Sequence, residues 1–328
     1  MRNQILNTLH SLGVSSFLRN KKHKKLTVLS LHRISPERNT FWNPIHPTTF
    51  EKLLVYIKKH YTINGFEELE ETVLDQLTKP PLVLSFDDGY YDFYEYALPI
   101  LTKHKLISNH NVVNACANQK MTIWTERLNI LFDLAKEKSV SIEVEFEDDK
   151  FSLASFGDNW MAFYLATFKK LLETPLTKRL QVIDFLEEKL SIDTSRRMMT
   201  WEEILDCQNN GTEIGCHTYN HDSLGTLENR ESLQFEIIQS KNELETKLNK
   251  PVSVLALPNG QTGTDANAVI KEAQFKYVLH VNDRLNDFPL SSTNNSSIPI
   301  NRINLVDEPF QQMALRMELF HNYVRKYV

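Results

Sequence analysis

The stretch Leu82-Val83-Leu84-Ser85-Phe86-Asp87-Asp88-Gly89-Tyr90 decides the fold that this sequence predicts. Apolar residues lead into two adjacent carboxylates and a glycine, which is typical of a buried strand that ends in a turn. In α/β proteins the strand ends carry the chemistry, because the loops there open into a cleft while the sheet holds them rigidly. Neighbouring residues of an extended chain point to opposite faces, so Asp87 and Asp88 can have different functions. One can bind a cation while the other transfers a proton.

A second stretch, Glu213-Ile214-Gly215-Cys216-His217-Thr218-Tyr219-Asn220-His221, places two histidines four positions apart. If this segment turns like one turn of a helix, both imidazoles face the same way. Two histidines and one carboxylate form the three-ligand metal site of hydrolytic zinc enzymes, with an open position for water. An Asp-Asp-Gly turn alone is usually structural. Its combination with the histidine pair indicates a metal site, whereas Cys216 is expected to pack inward.

The composition is that of a soluble globular protein, with 328 residues, 41% of them hydrophobic and 24% charged. The net charge of −5 argues against nucleic acid as a partner. Three cysteines without paired spacing indicate a reducing compartment. No apolar run approaches about 18 residues, so no transmembrane helix is predicted, and no continuous apolar core of a secretory signal is visible. We therefore expect a cytoplasmic protein.

Residues 1–25 form a segment that is both amphipathic and basic. Its apolar residues recur at roughly helical spacing, and a cationic cluster runs from Arg19 to Lys25. Such a segment can lie on an anionic membrane surface, here the inner face of the membrane. The more common alternative is a helix that packs on its own domain. The sequence leaves both open.

Strands and helices alternate along much of the chain, which predicts an α/β fold, either a parallel barrel or a doubly wound sheet. The predicted strands begin near Leu26, Leu82, Asn111, Glu213, Val252, Tyr277 and Asn301. The alternation stops from about residue 116 to 199, a mostly helical stretch that we interpret as an insertion that shapes the substrate cleft. Long helices are predicted over 224–248 and over the C-terminal residues 307–328. The aromatic residues of Tyr90–Tyr96 can line a sugar-binding cleft or simply fill space between helix and sheet.

The segments Ser85–Gly89 and His217-Thr-x-x-His221 resemble the two signature motifs of the polysaccharide deacetylases, carbohydrate esterase family 4, also known as the nodulation-type deacetylase homology domain. Further segments fall in the order seen in many bacterial members: Leu31–Ile34, Thr200–Glu203, Gly211–Gly215, Ala256–Gly260 and Asn301–Ile303. The resemblance covers roughly residues 26–306. It implies a distorted (β/α) barrel with fewer than eight strands.

The resemblance also implies roles for the motif residues. Asp88, His217 and His221 are expected to bind a divalent metal, most often Zn²⁺, with Co²⁺, Ni²⁺ or Mn²⁺ as alternatives. Asp87 is expected to be the general base. These roles agree with the physical chemistry, because a metal polarises an amide carbonyl and acidifies bound water, and a neighbouring carboxylate can accept the proton of that water.

Two departures from the family pattern concern the acid and the orientation of the base. By position, the usual leucine-x-histidine acid can only be His280. In poly-N-acetylglucosamine deacetylases, which this chain resembles in this respect, the acid comes from an N-terminal strand histidine, and His32 fits that position. We therefore expect His32 rather than His280. No arginine precedes Pro258 and Asn259, so Arg302 is the candidate for orienting the base. The residues expected to bind substrate or support the site are Pro258, Asn259, Arg302 and Tyr90.

The expected function is that of a metal-dependent carbohydrate N-deacetylase. The expected substrate is an N-acetylated amino sugar of a glycan or of a lipid-linked glycan precursor. One alternative is a deformylase or other amide hydrolase that acts on a lipid-carried amino sugar. Another is a non-catalytic glycan-binding relative, against which the presence of Asp87 and all three metal ligands argues.

Overall fold

The computed structural model describes residues 2–20, 22, 24–70, 77–146, 149–227, 229–291 and 297–320. Among these residues lie eleven strands, most of them separated by helices as the sequence predicts. The strands are β1 (Lys25–Leu31), β2 (Thr62–Ile63), β3 (Pro81–Asp88), β4 (Ser108–Val112), β5 (Glu143–Glu145), β6 (Lys150–Ser152), β7 (Thr212–Cys216), β8 (Val254–Ala256), β9 (Tyr277–Val281), β10 (Asn286–Asp287) and β11 (Ile298–Asn304).

Seven parallel strands close into a barrel in the order β1-β3-β4-β7-β8-β9-β11, and β11 pairs with β1 to complete it. Outside this ring, β2 extends from β3 in parallel and β10 pairs with β1 in antiparallel orientation. The separate hairpin β5–β6 lies in the insertion. The predicted distorted (β/α) barrel with fewer than eight strands is therefore confirmed.

Thirteen α-helices within the described residues surround or extend the barrel. They are α1 (Arg2–Ser11), α2 (Val14–Arg19), α3 (Pro47–His60), α4 (Leu98–His104), α5 (Asn114–Ala117), α6 (Trp124–Glu137), α7 (Trp160–Leu172), α8 (Leu176–Leu190), α9 (Trp201–Asn209), α10 (Arg230–Gln234), α11 (Ser240–Leu248), α12 (Thr264–Glu272) and α13 (Phe310–Met317). None of the described helices is long and apolar enough to cross a membrane.

The barrel interior changes from apolar to polar along the strands. Near the amino ends of the strands, Leu26, Val28 and Val83 pack in an apolar cluster with residues of β8, β9 and β11. Further along, polar side chains such as Ser85 and Asn109 are fully buried and bond to each other at 2.8 Å. Buried polar atoms need hydrogen-bond partners. Inward-facing polar side chains at the carboxyl ends of the strands therefore indicate a site at this end of the barrel.

The insertion has an apolar cluster of its own. Trp124 and Phe132 of α6 pack with Phe163 of α7 and with residues of α8 in a cluster separate from the one that lies between the barrel and its outer helices. The mostly helical character that the sequence predicts here matches α6, α7 and α8.

The long helix predicted over 224–248 is wrong in detail. The structure has a 3-10 turn at Leu224–Thr226, followed by α10, a π-helical segment at Phe235–Gln239, and α11. The apolar spacing continues through the whole stretch, but the Asn229 side chain accepts the backbone N–H of Ser232 and begins a new helix there. Of the predicted C-terminal helix over 307–328, the structure shows Phe310–Met317, and residues 321–328 lie outside the described residues.

The N-terminal segment packs partly on its own domain. The ring of His10 lies 5.7 Å from that of Phe310 in α13, and Lys22 forms a buried ion pair with Glu318 at 2.8 Å. Lys22, a member of the cationic cluster, is thus paired with an acid inside the domain and not exposed to solvent. On the outer side of the same segment, Ile5 and Phe17 remain 54% and 61% exposed.

Candidate metal and catalytic site

Three buried side chains converge at the carboxyl ends of β3 and β7. The Nε2 atoms of His217 and His221 lie 3.3 Å and 3.4 Å from Oδ1 of Asp88. One ligand atom from each residue lies within 4.8 Å of the others, and Asp88 Oδ1 has no hydrogen-bond partner among the described residues. A buried carboxylate oxygen without a donor, facing two imidazole nitrogens, is a donor set that fits a divalent cation.

The two histidines converge through backbone turns rather than through a helical turn. Residues 217–223 are not helical, and Thr218 and His221 have left-handed φ angles of 63° and 59°. Asp88 is also left-handed, with φ of 83°. Residues other than glycine adopt this conformation rarely, and such residues cluster at functional sites. The imidazole rings end with their centroids 4.9 Å apart.

The two histidines of this group differ in what orients their rings. Nδ1 of His217 lies 2.9 Å from the carbonyl oxygen of Ala256, so this nitrogen donates and Nε2 is free to face Asp88. Nδ1 of His221 is buried without a hydrogen-bond partner in the described structure. Burial lowers the pKa of His221 to about 3, although the Asp88 carboxylate opposes the shift. Its ring is therefore neutral and has a lone pair for a cation.

Asp87 lies in the barrel interior and is bound by Arg302. The guanidinium donates from Nη1 to Oδ1 of Asp87 at 2.8 Å, and its Nη2 lies 2.8 Å from Oδ2 in the same ion pair. Burial alone would raise the pKa of Asp87, but Arg302, with a contribution from His217, holds it well below its usual value. The carboxylate is therefore ionised and held in a fixed orientation. Arg302 of β11, the candidate from the sequence for orienting the base, is thus in direct contact with Asp87.

Two residues of this arrangement were missed by the sequence analysis. Asn111 of β4 donates from Nδ2 to Asp87 Oδ1 at 2.8 Å and to Ser85 Oγ at 3.1 Å. A Cβ atom on Gly215 of β7 would lie 2.1 Å from Asn111 Oδ1, so only glycine leaves room for this amide. In the sequence, Asn111 was visible only as a polar residue of a predicted strand, and Gly215 only as part of the segment Gly211–Gly215.

A cavity of about 380 Å³ opens above these residues. It contains both aspartates, both histidines and Arg302, and the insertion supplies part of its wall. The lining residues are His32, Phe41, Trp42, Asp87, Asp88, Thr125, Tyr164, Leu165, Phe168, His217, His221, Leu257, Asn259, Val281, Arg302 and Asn304.

The two candidates for the general acid lie in different places. His32 follows β1 directly and lines the cavity, with its ring 5.3 Å from that of Trp42. His280 lies on β9 between Leu279, which is buried in the barrel interior, and Val281, which lines the cavity. Its side chain therefore points to the opposite face of the strand. Burial, with the charge of Arg302, lowers the pKa of His280.

The remaining predicted site residues divide between the cavity and its surroundings. Asn259 lines the cavity and donates to Ser223 Oγ at 3.3 Å, whereas Pro258 is buried. Tyr90 is also buried and lies outside the cavity lining, with the Arg33 guanidinium 5.3 Å from its ring. Tyr90 thus packs beside this cavity, and its role in binding substrate or supporting the site stays a prediction.

Comparisons with known proteins agree with this geometry. The model of the polysaccharide deacetylase family matches residues 158–278, a segment that contains both ligand histidines. The comparison with curated protein sequences found no match. Among solved structures, the deacetylase PplD of Streptococcus pyogenes, determined in complex with acetate, aligns with a TM-score of 0.59 at 17% identity, over 90% of this chain and 98% of that one.

Two further solved structures have the same fold. IcaB from Ammonifex degensii aligns with a TM-score of 0.54 at 18% identity, over 90% of this chain and 97% of that one. The BpsB deacetylase domain from Bordetella bronchiseptica aligns with a TM-score of 0.52 at 15% identity, over 87% and 97%. These structures show the fold, and the family-model match over residues 158–278 confirms the predicted resemblance to the polysaccharide deacetylase family.

Proposed function

We propose that this protein is a metal-dependent hydrolase that removes the N-acetyl group from an amino sugar of a glycan or of a lipid-linked glycan precursor. The observation that carries the proposal is the joint placement of the Asp88-His217-His221 group and the arginine-bound Asp87 in one cavity. The family match and the structural neighbours support a de-N-acetylase that acts on glycans.

The residues of the cavity divide the work of amide hydrolysis. A divalent cation held by Asp88, His217 and His221, most simply Zn²⁺ with Co²⁺, Ni²⁺ or Mn²⁺ as alternatives, would polarise the amide carbonyl and lower the pKa of water. Asp87 is kept ionised by Arg302, so it can accept the proton of the attacking water. His32 lines the same cavity and can donate a proton to the departing amine. Arg302 and Asn111 hold the base in place.

The walls of the cavity support a sugar substrate that carries an apolar group. Phe41 and Trp42 are only partly buried and offer aromatic surface on which a sugar ring can stack, whereas Tyr164 is buried and stacks on Phe41. At the same cavity, Leu165 of the insertion is 54% exposed and Val281 is 38% exposed. Exposed apolar residues beside a polar catalytic floor favour a lipid-linked amino sugar over a purely polar polymer.

The test is metal content together with acetate release for wild type and Asp87→Asn. The substrates are N-acetylated oligosaccharides and lipid-linked N-acetylhexosamines. We expect about one equivalent of metal in both proteins, since the described residues form a single three-ligand group, and a loss of acetate release of about 10²- to 10⁴-fold in the variant. Asp206→Asn, the same chemical change outside the cavity lining, is the matched control and should retain activity.

Other results would assign a different function. Release of formate instead of acetate from lipid-linked substrates would identify a deformylase. Full biological output from Asp87→Asn would identify a non-catalytic glycan-binding protein. A wild-type protein that binds no metal would contradict the proposed site.

We also propose a cytoplasmic location with peripheral contact at the inner face of the membrane through residues 1–25. The exposed apolar residues Ile5, Leu12 and Phe17 support this contact, because apolar side chains of such segments insert at the headgroup boundary. Arg19 and Lys22 are paired with Glu318 inside the fold, so the apolar residues should contribute more to such binding than these two cations.

A further inference from the structure

A buried ion pair joins the insertion to the loop that carries His221. Arg179 of α8 and Asp222 are both buried, and Arg179 Nη1 lies 3.2 Å from Asp222 Oδ1. Asp222 directly follows His221. We propose that Arg179 is a positioning residue that holds this loop, and with it His221, in the geometry needed to bind the metal. This inference rests on the proposed metal site.

His221 needs such support more than His217 does. The ring of His217 is fixed by its hydrogen bond to the carbonyl of Ala256, whereas Nδ1 of His221 has no partner in the described structure. Histidine ligands are almost always oriented by a partner of the second ring nitrogen. In addition, His221 has a left-handed φ of 59°. The orientation of His221 therefore depends on how the backbone beside it is held.

Asp222 holds that backbone on two sides. Its Oδ1 accepts the backbone N–H of Ser223 at 2.8 Å as well as the guanidinium of Arg179. The Oγ atom of Ser223 accepts a hydrogen bond from Nδ2 of Asn259, which belongs to the turn after β8. The loop is thus attached to the barrel through Asn259 and to the insertion through Arg179.

Arg179 is itself fixed by the three main helices of the insertion. Its Nε donates to the carbonyl of Leu171 and its Nη2 to that of Thr174, both at 2.8 Å, at the end of α7. Its guanidinium lies 4.6 Å from the ring centroid of Trp124 in α6. A buried arginine with this many partners is rigid. Because α7 also lines the cavity, the same side chain couples the cavity wall to the metal loop.

The alternative is that the pair only stabilises the fold, and metal affinity distinguishes the two. The double variant Arg179→Met/Asp222→Asn removes both charges, which avoids leaving one buried charge unpaired. We expect its metal-free form to fold and to bind Zn²⁺ about 10- to 100-fold more weakly than wild type, as for the loss of other groups that orient a ligand. Affinity is measured by competition with a chelating dye, well below the unfolding temperature of each protein.

Two further measurements sharpen the test. The visible absorption of the Co²⁺ form should change in the double variant, because displacement of His221 alters the ligand field. The control variant Arg127→Met/Glu187→Gln removes an ion pair between α6 and α8 in which Nε and Oε1 lie 2.8 Å apart. This pair does not contact the metal loop, so Zn²⁺ affinity and the Co²⁺ spectrum should stay as in wild type.

Each outcome decides the inference. Wild-type affinity and spectrum in the double variant would overturn it while leaving the proposed function intact. Wild type without metal would overturn the proposed function itself. If the double variant does not fold, Arg179→Lys is tested in the same assay. This variant keeps the positive charge beside Asp222 but loses the planar guanidinium group and its several N–H donors. Weakened Zn²⁺ binding by a folded Arg179→Lys supports the inference, and unchanged binding overturns it.

Discussion

Asp87 and Asp88 are adjacent, yet they face different partners. Asp87 continues the alternation of β3 and points into the barrel toward Arg302. Asp88 has a left-handed φ of 83° and turns toward the two histidines. Burial would raise the pKa of both carboxyls, but Arg302 opposes it at Asp87 and the histidines oppose it at Asp88, so both are lowered. The neighbours of each carboxylate fit a base in one case and a metal ligand in the other.

At the scale of single residues, the general acid can be identified with two substitutions. We expect His32→Gln to lower acetate release by about 10²- to 10⁴-fold with metal content unchanged, because His32 lines the cavity. His280→Gln is the matched control and should change the rate little, because its side chain points away from the cavity. A large loss in His280→Gln with an active His32→Gln would reverse the assignment.

A second residue-scale prediction concerns Glu213, at the amino end of β7. Its Oε2 accepts the backbone N–H of Phe66 at 2.7 Å, and burial raises its pKa to about 7 from a usual value near 4.5. The folded protein therefore binds a proton more tightly than the unfolded chain. The contribution of this tighter proton binding to the free energy of unfolding is fully present below pH 4.5 and is lost as the pH rises through 7.

Glu213→Gln removes this titration, so the free energy of unfolding of the variant should rise relative to wild type between pH 4.5 and 8. The shift corresponds to at most about 3 kcal/mol. Urea unfolding at several pH values measures this difference in the free energy of unfolding. The control is Glu188→Gln, a substitution of an exposed glutamate of α8. A pH-independent difference for Glu213→Gln would contradict the expected linkage.

At the scale of elements, the contact between β4 and β7 depends on Gly215. A methyl group at this position would meet Asn111 Oδ1 at 2.1 Å. We expect Gly215→Ala to cost about 1–3 kcal/mol of stability, as in other overpacked cores, and to lower deacetylation because the amide that holds Asp87 must move. Gly263→Ala, where no atom lies within 4 Å of an added Cβ, is the control. Equal activity and stability in both variants would show that Asn111 can move freely.

Two segments show that residue spacing along the chain does not predict the path of the backbone. The apolar spacing over 224–248 predicted one helix, but a side-chain cap at Asn229 makes the helix begin at Arg230, and its turns widen into a π-helical segment at Phe235–Gln239. The histidine segment has helical spacing, yet its ligands converge through left-handed residues. In both cases spacing predicted which side chains share a face but not the backbone path.

At the scale of the whole molecule, the exposed apolar residues of α1, α2 and the turn between them predict membrane contact. We expect the triple variant Ile5→Ser/Leu12→Ser/Phe17→Ser to bind anionic lipid vesicles at least about tenfold more weakly than wild type, since several buried apolar side chains are lost from the lipid. Phe185→Ser, an exposed apolar residue of α8, is the control. Vesicle sedimentation measures binding, and equal sedimentation of all proteins would contradict the membrane contact.

The sequence by itself determined the α/β class and the residues of the Asp88-His217-His221 group, because strand periodicity and strand-end motifs are local features of the chain, and the resemblance of those motifs to a known family implied the barrel. Only the tertiary structure decided that Arg302 binds Asp87 from 215 positions away, that Asn111 needs Gly215, and that His32 lines the cavity while His280 does not. These depend on barrel closure and on which face of a strand looks inward, and both are set by packing between elements distant in sequence. The same holds for Arg179, whose partner Asp222 is brought to it by the insertion folding back over the barrel.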